Sequence, residues 1–215
     1  MQKMFASRKI IALDGNVYTG KTSLINEFSK KKTINVLPEY ASFFNETEFR
    51  YLSPIEIQHK YLEAEKIRKS KLSFKKNTLL DRSIISQAGF VYASYKQGNF
   101  DLRKEFLYSL KQMQKNNELI IPHHFVHIKC DFKILKKRYI EEEKSENAKN
   151  TDCKLLSKEY CFLLDEFLSK FADFTINTTN LTVVESKQKL IDFISHEGKP
   201  SDEDIIKKIE YLLSD

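Results

Sequence analysis

Gly15-Asn16-Val17-Tyr18-Thr19-Gly20-Lys21-Thr22 fits the phosphate-binding pattern G-x-x-x-x-G-K-[ST] and follows the apolar run Lys9-Ile10-Ile11-Ala12-Leu13. The run before the loop reads as a buried strand. Gly20 to Lys32 after it reads as a helix, because Leu24, Ile25 and Phe28 fall on one face. Strand, loop and helix therefore stand in the order that anion capture needs. Backbone N–H groups freed by Gly15 and Gly20, with the positive end of the helix dipole, surround the phosphates of a nucleotide. The candidate ATP-binding residues are Gly15, Asn16, Val17, Tyr18, Thr19, Gly20, Lys21, Thr22 and Ser23. Lys21 would reach the β- and γ-phosphates, and the Thr22 hydroxyl would hold Mg²⁺.

Working outward, short apolar runs alternate with longer helical patterns, which is how a parallel α/β sheet is written. The expected strands are Lys9 to Leu13, Thr33 to Leu37, Thr78 to Asp81, His124 to Lys129 and Phe174 to Asn177. Ser53-Pro54 supplies an N-cap and first-turn proline for a helix over Ile55 to Ser70. Asp101 is expected to cap Leu102 to Asn116, with Leu102, Phe106, Leu110 and Met113 on one side. Val183 to Ile194 reads as a further helix ending near Gly198. A last helix begins at Ser201-Asp202-Glu203-Asp204 and runs through Leu213. The expected architecture has three α/β/α layers around a roughly five-stranded parallel sheet, with helices on both faces. The expected division is a domain over 1–198, with a helical lid at about 131–155, and a C-terminal helical appendage over 199–215.

The bulk properties narrow the class. The chain has 215 residues, long enough for one α/β domain with a substantial core. Met1 to Arg8 carries no long apolar segment and nothing later reaches membrane-spanning length, so a cytoplasmic protein without a membrane anchor is expected. Cys130, Cys153 and Cys161 are three in number and show no C-x-x-C spacing, which argues for reduced thiols rather than disulfides or a zinc cluster. The net charge is +6, but 36 basic residues are scattered among 30 acidic ones, so a solvated surface is expected rather than a nucleic-acid groove.

In an open parallel sheet, ligands collect outside the carboxyl ends of the strands. Asp14 and the phosphate loop follow the first strand, Pro38-Glu39-Tyr40-Ala41 the second, and Asp81-Arg82-Ser83 the third. Asp81 stands where a carboxylate can bind Mg²⁺ directly or through water. Arg82 offers a planar fork for phosphate oxygens or a neighbouring carboxylate. Glu39 is the candidate general base, placed to accept the proton of an attacking hydroxyl.

Asp14-Gly15-Asn16 and Asp81-Arg82-Ser83-Ile84-Ile85-Ser86 resemble the acidic-Gly-Asn and acidic-Arg-Ser segments of the deoxynucleoside kinase and thymidylate kinase superfamily of P-loop kinases. The resemblance covers most of residues 8 to 195, and only the phosphate loop is a specific motif. It implies an ATP- and Mg²⁺-dependent phosphotransferase acting on a small nucleoside-like acceptor. It also implies Glu39 as base, Gln58 as a reader of the acceptor base, Arg82 and Arg138 as holders of phosphates or acceptor, and a homodimer. Several positions depart from the family. Gln87 stands where these kinases have a base-reading aspartate, and no Trp is present. Only Arg138 fits the lid arginines. The acidic run Glu141-Glu142-Glu143 follows it, with Lys136, Lys137 and Lys144 as alternative sources of lid charge.

Four other readings compete. A nucleoside monophosphate kinase would need a more basic lid. Pro38-Glu39-Tyr40-Ala41 is also similar to a ribosylnicotinamide kinase motif, whose next arginine is Ser42 here. A polynucleotide 5′-hydroxyl kinase would use the positive charge in a visible cluster. A regulatory nucleotide switch would show N-K-x-D or D-x-x-G, and neither is found. His123, His124 and His127 lack a cysteine or carboxylate at metal-ligand spacing and are expected in the core or at a strand end. Phe90, Tyr92 and Tyr95 are expected in the core as well.

Overall fold

The computed structural model describes residues 8–30, 33–45, 51–73, 75–143, 157–196 and 204–214. In chain order these form β1 (Ile10–Asp14), α1 (Lys21–Ser29), β2 (Ile34–Leu37), a 3₁₀ turn (Tyr40–Phe43), α2 (Pro54–Ser70), β3 (Asn77–Asp81), α3 (Ile84–Lys96) and α4 (Arg103–Lys115). There follow β4 (His124–Lys129), α5 (Phe132–Glu143), α6 (Lys158–Ser169), β5 (Phe174–Asn177), α7 (Val183–His196) and α8 (Ile205–Ser214).

The five strands pair in the order β2-β3-β1-β4-β5, all parallel. β1 is central and buried at every position. Because side chains alternate along a strand, Ile10 and Ala12 join a core on one sheet face while Ile11 and Leu13 join another on the opposite face. The first core takes Phe106 from α4, Phe167 from α6 and Ile206 and Ile209 from α8. The second takes Leu24 and Phe28 from α1 and Leu190 from α7. Helices thus cover both faces, giving the three-layer α/β/α arrangement expected from the sequence.

All five expected strands are present, within one residue at each end. α2 opens with a full capping box, in which Ser53 and Glu56 satisfy each other's backbone donors. α4 begins one residue later than expected, at Arg103. The Asp101 carboxylate accepts from the Arg103 backbone N–H at 3.1 Å and clamps its guanidinium at 3.0 and 3.2 Å, leaving Leu102 as the capping position. Lys31, Lys32, Gly198 and residues 201–203, part of the expected helix ends, lie outside the described residues. α8 packs Ile206, Ile209, Leu212 and Leu213 into the first core and meets α3 and α4. No helix among the described residues is long and apolar enough to cross a membrane.

Candidate active site

Central placement of β1 carries its C-terminal loop into the cleft between β3 and β4. Gly15 is required there by space, since a Cβ at this position would lie 2.0 Å from the Ile128 carbonyl oxygen. The loop turns through left-handed backbone at Tyr18 (φ 59°) and at Gly20 (φ 91°), the residue that caps α1. The Thr19 hydroxyl donates to the Asn16 carbonyl at 3.0 Å, and Lys21 Nζ to the same carbonyl at 2.6 Å. Lys21 is 4% exposed. Burial, assisted by nearby Arg82, lowers its pKa to about 7 against the opposing pull of Asp81, Glu39 and Asp14.

Three distant elements brace the loop. Arg138 Nη1, from α5, donates to the Tyr18 carbonyl at 3.0 Å, and the Thr178 hydroxyl, just beyond β5, donates to the Thr19 carbonyl at 2.8 Å. Asn16 Nδ2 donates to the Cys161 carbonyl at 2.9 Å, tying the loop to α6. Lys137 pairs loosely with Glu141 on α5, while Glu141 and Glu142 line the cleft. Lys144 and the remainder of the expected lid, 144–155, lie outside the described residues.

Beside the loop, β3 ends in Asp81-Arg82-Ser83. Asp14, completely buried, holds this turn: its Oδ1 accepts from the Ser83 N–H at 2.8 Å, its Oδ2 from the Ser83 hydroxyl at 2.7 Å, and the Ser86 hydroxyl adds a third donor. Arg82 itself is left-handed, with φ 65°. Its Nε lies 2.5 Å from Glu39 Oε1 and its Nη1 donates to the Gly15 carbonyl at 2.7 Å. The Glu39 side chain is 38% exposed, so one edge of the pair faces the cleft. Burial, Glu39 and Asp81 act on Arg82, and the two carboxylates hold its pKa above the ordinary value.

Thr22 donates its hydroxyl to Asp81 Oδ2 at 3.1 Å, and Asp81 Oδ1 is buried without a hydrogen-bond partner among the described residues. Burial first, then Glu39, pushes the Asp81 carboxyl upward, while Lys21, Arg82 and Thr22 oppose that shift. A hydroxyl and a carboxylate with an unused oxygen are hard donors of the kind Mg²⁺ takes. The residues present therefore fit that ion. No group of three or more His, Cys, Asp or Glu at metal-binding distance occurs among the described residues. His123 Nδ1 accepts from the Ile10 N–H at 2.8 Å, and His127 Nε2 meets Asp165 at 3.0 Å. His124 is buried with its ring edge-on to Phe193.

Deeper in the cleft, α2 and α3 contribute Gln58, Tyr61, Gln87 and Phe90, and α6 contributes Tyr160. Gln58 is 5% exposed, and both its amide nitrogen and its amide oxygen lack a hydrogen-bond partner among the described residues. Burial, with Glu39 beside it, raises the Tyr61 hydroxyl pKa, and burial raises that of Tyr160. The expectation that Phe90, Tyr92 and Tyr95 sit in the core holds for Tyr92 and only in part for the other two, since Phe90 packs against the first core but also lines the cleft. Tyr92 is buried against Phe167, but Phe90 is half-buried on the cleft wall under the Arg82 guanidinium, and Tyr95 is half-buried beneath Arg103.

The site residues expected from the sequence thus gather around one cleft: Val17 to Ser23, Glu39, Gln58, Arg82, Gln87 and Arg138 line it, Asp81 meets it through Thr22, and Gly15 and Asn16 lie behind the lining rather than on it. Sequence reasoning missed Arg68, Glu65 and Thr178. Thr178 sits 159 residues from its loop partner and carries no local signal.

No family model matches this chain, and no curated protein is similar to it in sequence. Its fold does match solved structures. Thymidylate kinase from Candida albicans aligns with a TM-score of 0.61 at 11% identity, over 89% of this chain and 93% of that one. Deoxyadenosine kinase from M. mycoides with bound dATP aligns at 0.63 and 18% identity, over 86% and 98%. The same enzyme with the products dCMP and a flexible dCDP bound aligns at 0.64 and 20%, over 87% and 100%. The chain therefore has the fold of the deoxynucleoside and thymidylate P-loop kinases, the superfamily its motifs resemble.

Proposed function

We propose that this chain is an ATP- and Mg²⁺-dependent kinase that moves the γ-phosphoryl group to a hydroxyl of a small nucleoside-like acceptor. The observation that carries the reading is the position of Glu39. Its carboxylate faces the cleft from an ion pair with Arg82, whose other nitrogen donates to the phosphate loop. A carboxylate beside the anion site, rather than elsewhere on the surface, supports the role of base.

Thr22 and Asp81 would hold Mg²⁺, which supplies charge neutralisation to the donor phosphates. Lys21 releases its hydrogen bond to the Asn16 carbonyl to meet phosphate oxygens. Arg82 and Arg138 steady the donor and the loop, and Glu39 takes the hydroxyl proton. The orphaned amide of Gln58 is suited to the edge of a heterocyclic base, with Gln87 nearby. Such an amide, buried without a hydrogen-bond partner among the described residues, can give and accept hydrogen bonds at the base edge.

An uncharged acceptor is favoured over a nucleoside monophosphate. Among the described cleft residues the cations are Lys21, Arg82 and Arg138, and each already donates to a loop carbonyl. The reading divides the chain into a kinase domain over 1–198, with its lid at about 131–155, and the segment 199–215 that includes α8. It also puts the protein in the cytoplasm, where ATP and Mg²⁺ are abundant, and expects a homodimer.

The test is ATP consumption with Mg²⁺ across nucleosides, ribosylnicotinamide, nucleoside monophosphates and short 5′-hydroxyl oligonucleotides, with Lys21→Ala as control. Turnover with a nucleoside, lost in the control, is the expected result. Turnover only with monophosphates, or none with any acceptor, would sink the reading.

A further inference from the structure

Arg68, near the end of α2, is completely buried and does not line the cleft. Its Nη2 donates to the Arg82 carbonyl at 2.8 Å and lies 3.4 Å from the Asp81 carbonyl. Its Nη1 pairs with Glu65 at 3.3 Å, and Glu65 Oε1 accepts from the Ile120 N–H at 2.9 Å. The face of the guanidinium stacks on the Tyr40 ring, 4.4 Å from its centroid. Tyr40 is the residue after Glu39, so one buried cation touches the backbone of Asp81 and Arg82 and the neighbour of Glu39.

Core stability alone does not account for this arrangement. A buried ion pair exchanged for apolar side chains of similar volume is often neutral or stabilising. The carbonyls that Arg68 holds belong to a turn whose second residue is left-handed, a conformation that a non-glycine residue adopts only when its surroundings enforce it. A planar fork serves Glu65 from one nitrogen and both carbonyls from another, whereas an ammonium group would have to serve all three from a single nitrogen.

We propose that Arg68 is a positioning residue for phosphoryl transfer, fixing the Arg82 guanidinium and the Asp81 carboxylate relative to Glu39 from behind the cleft wall. The proposal rests on the kinase reading above. Positioning of this kind acts chiefly on the transfer step, and donor capture, which also draws on the loop, changes less.

Two variants test it beside wild type and Lys21→Ala: Arg68→Lys, and Glu65→Gln combined with Arg68→Met. The combined exchange leaves no unpaired charge in the core, and a glutamine oxygen there still accepts from Ile120. Melting, stoichiometric binding of Mg-ATP, kcat per bound nucleotide and acceptor KM are measured for each.

Both variants should fold and still bind Mg-ATP, with any loss of affinity smaller than the loss in kcat per bound nucleotide. In the combined exchange kcat per bound nucleotide should fall on the order of 10²-fold, with a smaller fall in Arg68→Lys and little change in KM. If the combined exchange does not fold, Arg68→Lys alone decides. A folded variant with wild-type kcat per bound nucleotide overturns the proposal, even if its melting temperature falls, and leaves the kinase reading standing. Wild-type protein that binds ATP yet transfers to no acceptor overturns both.

Discussion

Glu39 and Arg82, 43 residues apart, meet at 2.5 Å, and the same guanidinium reaches back to the Gly15 carbonyl at 2.7 Å. The ends of β2 and β3 are thereby locked to the phosphate loop through a single side chain. Glu39→Gln keeps an oxygen for Arg82 but removes the proton acceptor. It should lower kcat by about 10²–10⁴-fold while ATP affinity stays unchanged. Steady-state kinetics with a neutral acceptor would show this, and an unaltered kcat would mean that Glu39 is not the base.

Gln58 presents a different trade. Its amide is buried without a hydrogen-bond partner among the described residues, a condition that costs free energy, so Gln58→Leu should raise unfolding stability by roughly 1 kcal/mol. The same exchange should raise acceptor KM. Thermal melts paired with kinetics would decide. A destabilised variant would mean that the amide already makes bonds in solution.

Lys21 binds its proton more weakly in the folded chain, near pH 7, than its ordinary 10.5 in the unfolded one. Between those values the unfolded chain holds more protons at this site. Stability from this group therefore rises with pH across that window, and the destabilising contribution is present in full below it. Phosphates beside Nζ favour the cation, so ATP binding at about pH 8 should take up as much as one proton. Calorimetric titrations in two buffers of different ionisation enthalpy should give different heats, and Lys21→Met should abolish the difference. Equal heats for wild type would refute the shift.

Gly15→Ala places a methyl group 2.0 Å from a backbone oxygen of β4, which cannot rotate aside. Overpacking of this kind typically destabilises by about 1–3 kcal/mol. The urea midpoint should drop and ATP binding should vanish with it. A stable, ATP-binding variant would show that β1 and β4 separate more readily than their pairing implies.

The strands were legible because buried parallel strands are written as apolar runs, and Ile10 to Leu13 left no alternative. Glu39, Asp81 and Arg82 stood out as candidates because each lies at or within two residues of the end of such a run. Glu65 and Arg68 were not: an acid and a base three apart on a helix look like a solvated surface pair, and only the tertiary fold buries them. The cleft-facing side of Phe90 was hidden for a related reason. The residue lies in a helix with ten buried residues, where periodicity cannot tell the side facing the core from the side facing a cleft.

The grip of Asp14 on Ser83 has one more consequence. The Arg82 amide donates to the Leu13 carbonyl at 3.1 Å and the Ser83 amide to Asp14 at 2.8 Å, both beneath a sealed surface. Irregular segments ordinarily surrender their amide protons to deuterium first. Here those two protons can exchange only when β1 itself opens, so they should persist as long as those of the central strand. The turn that carries Arg82 is in that sense part of the rigid frame, and motion needed for turnover must arise outside it.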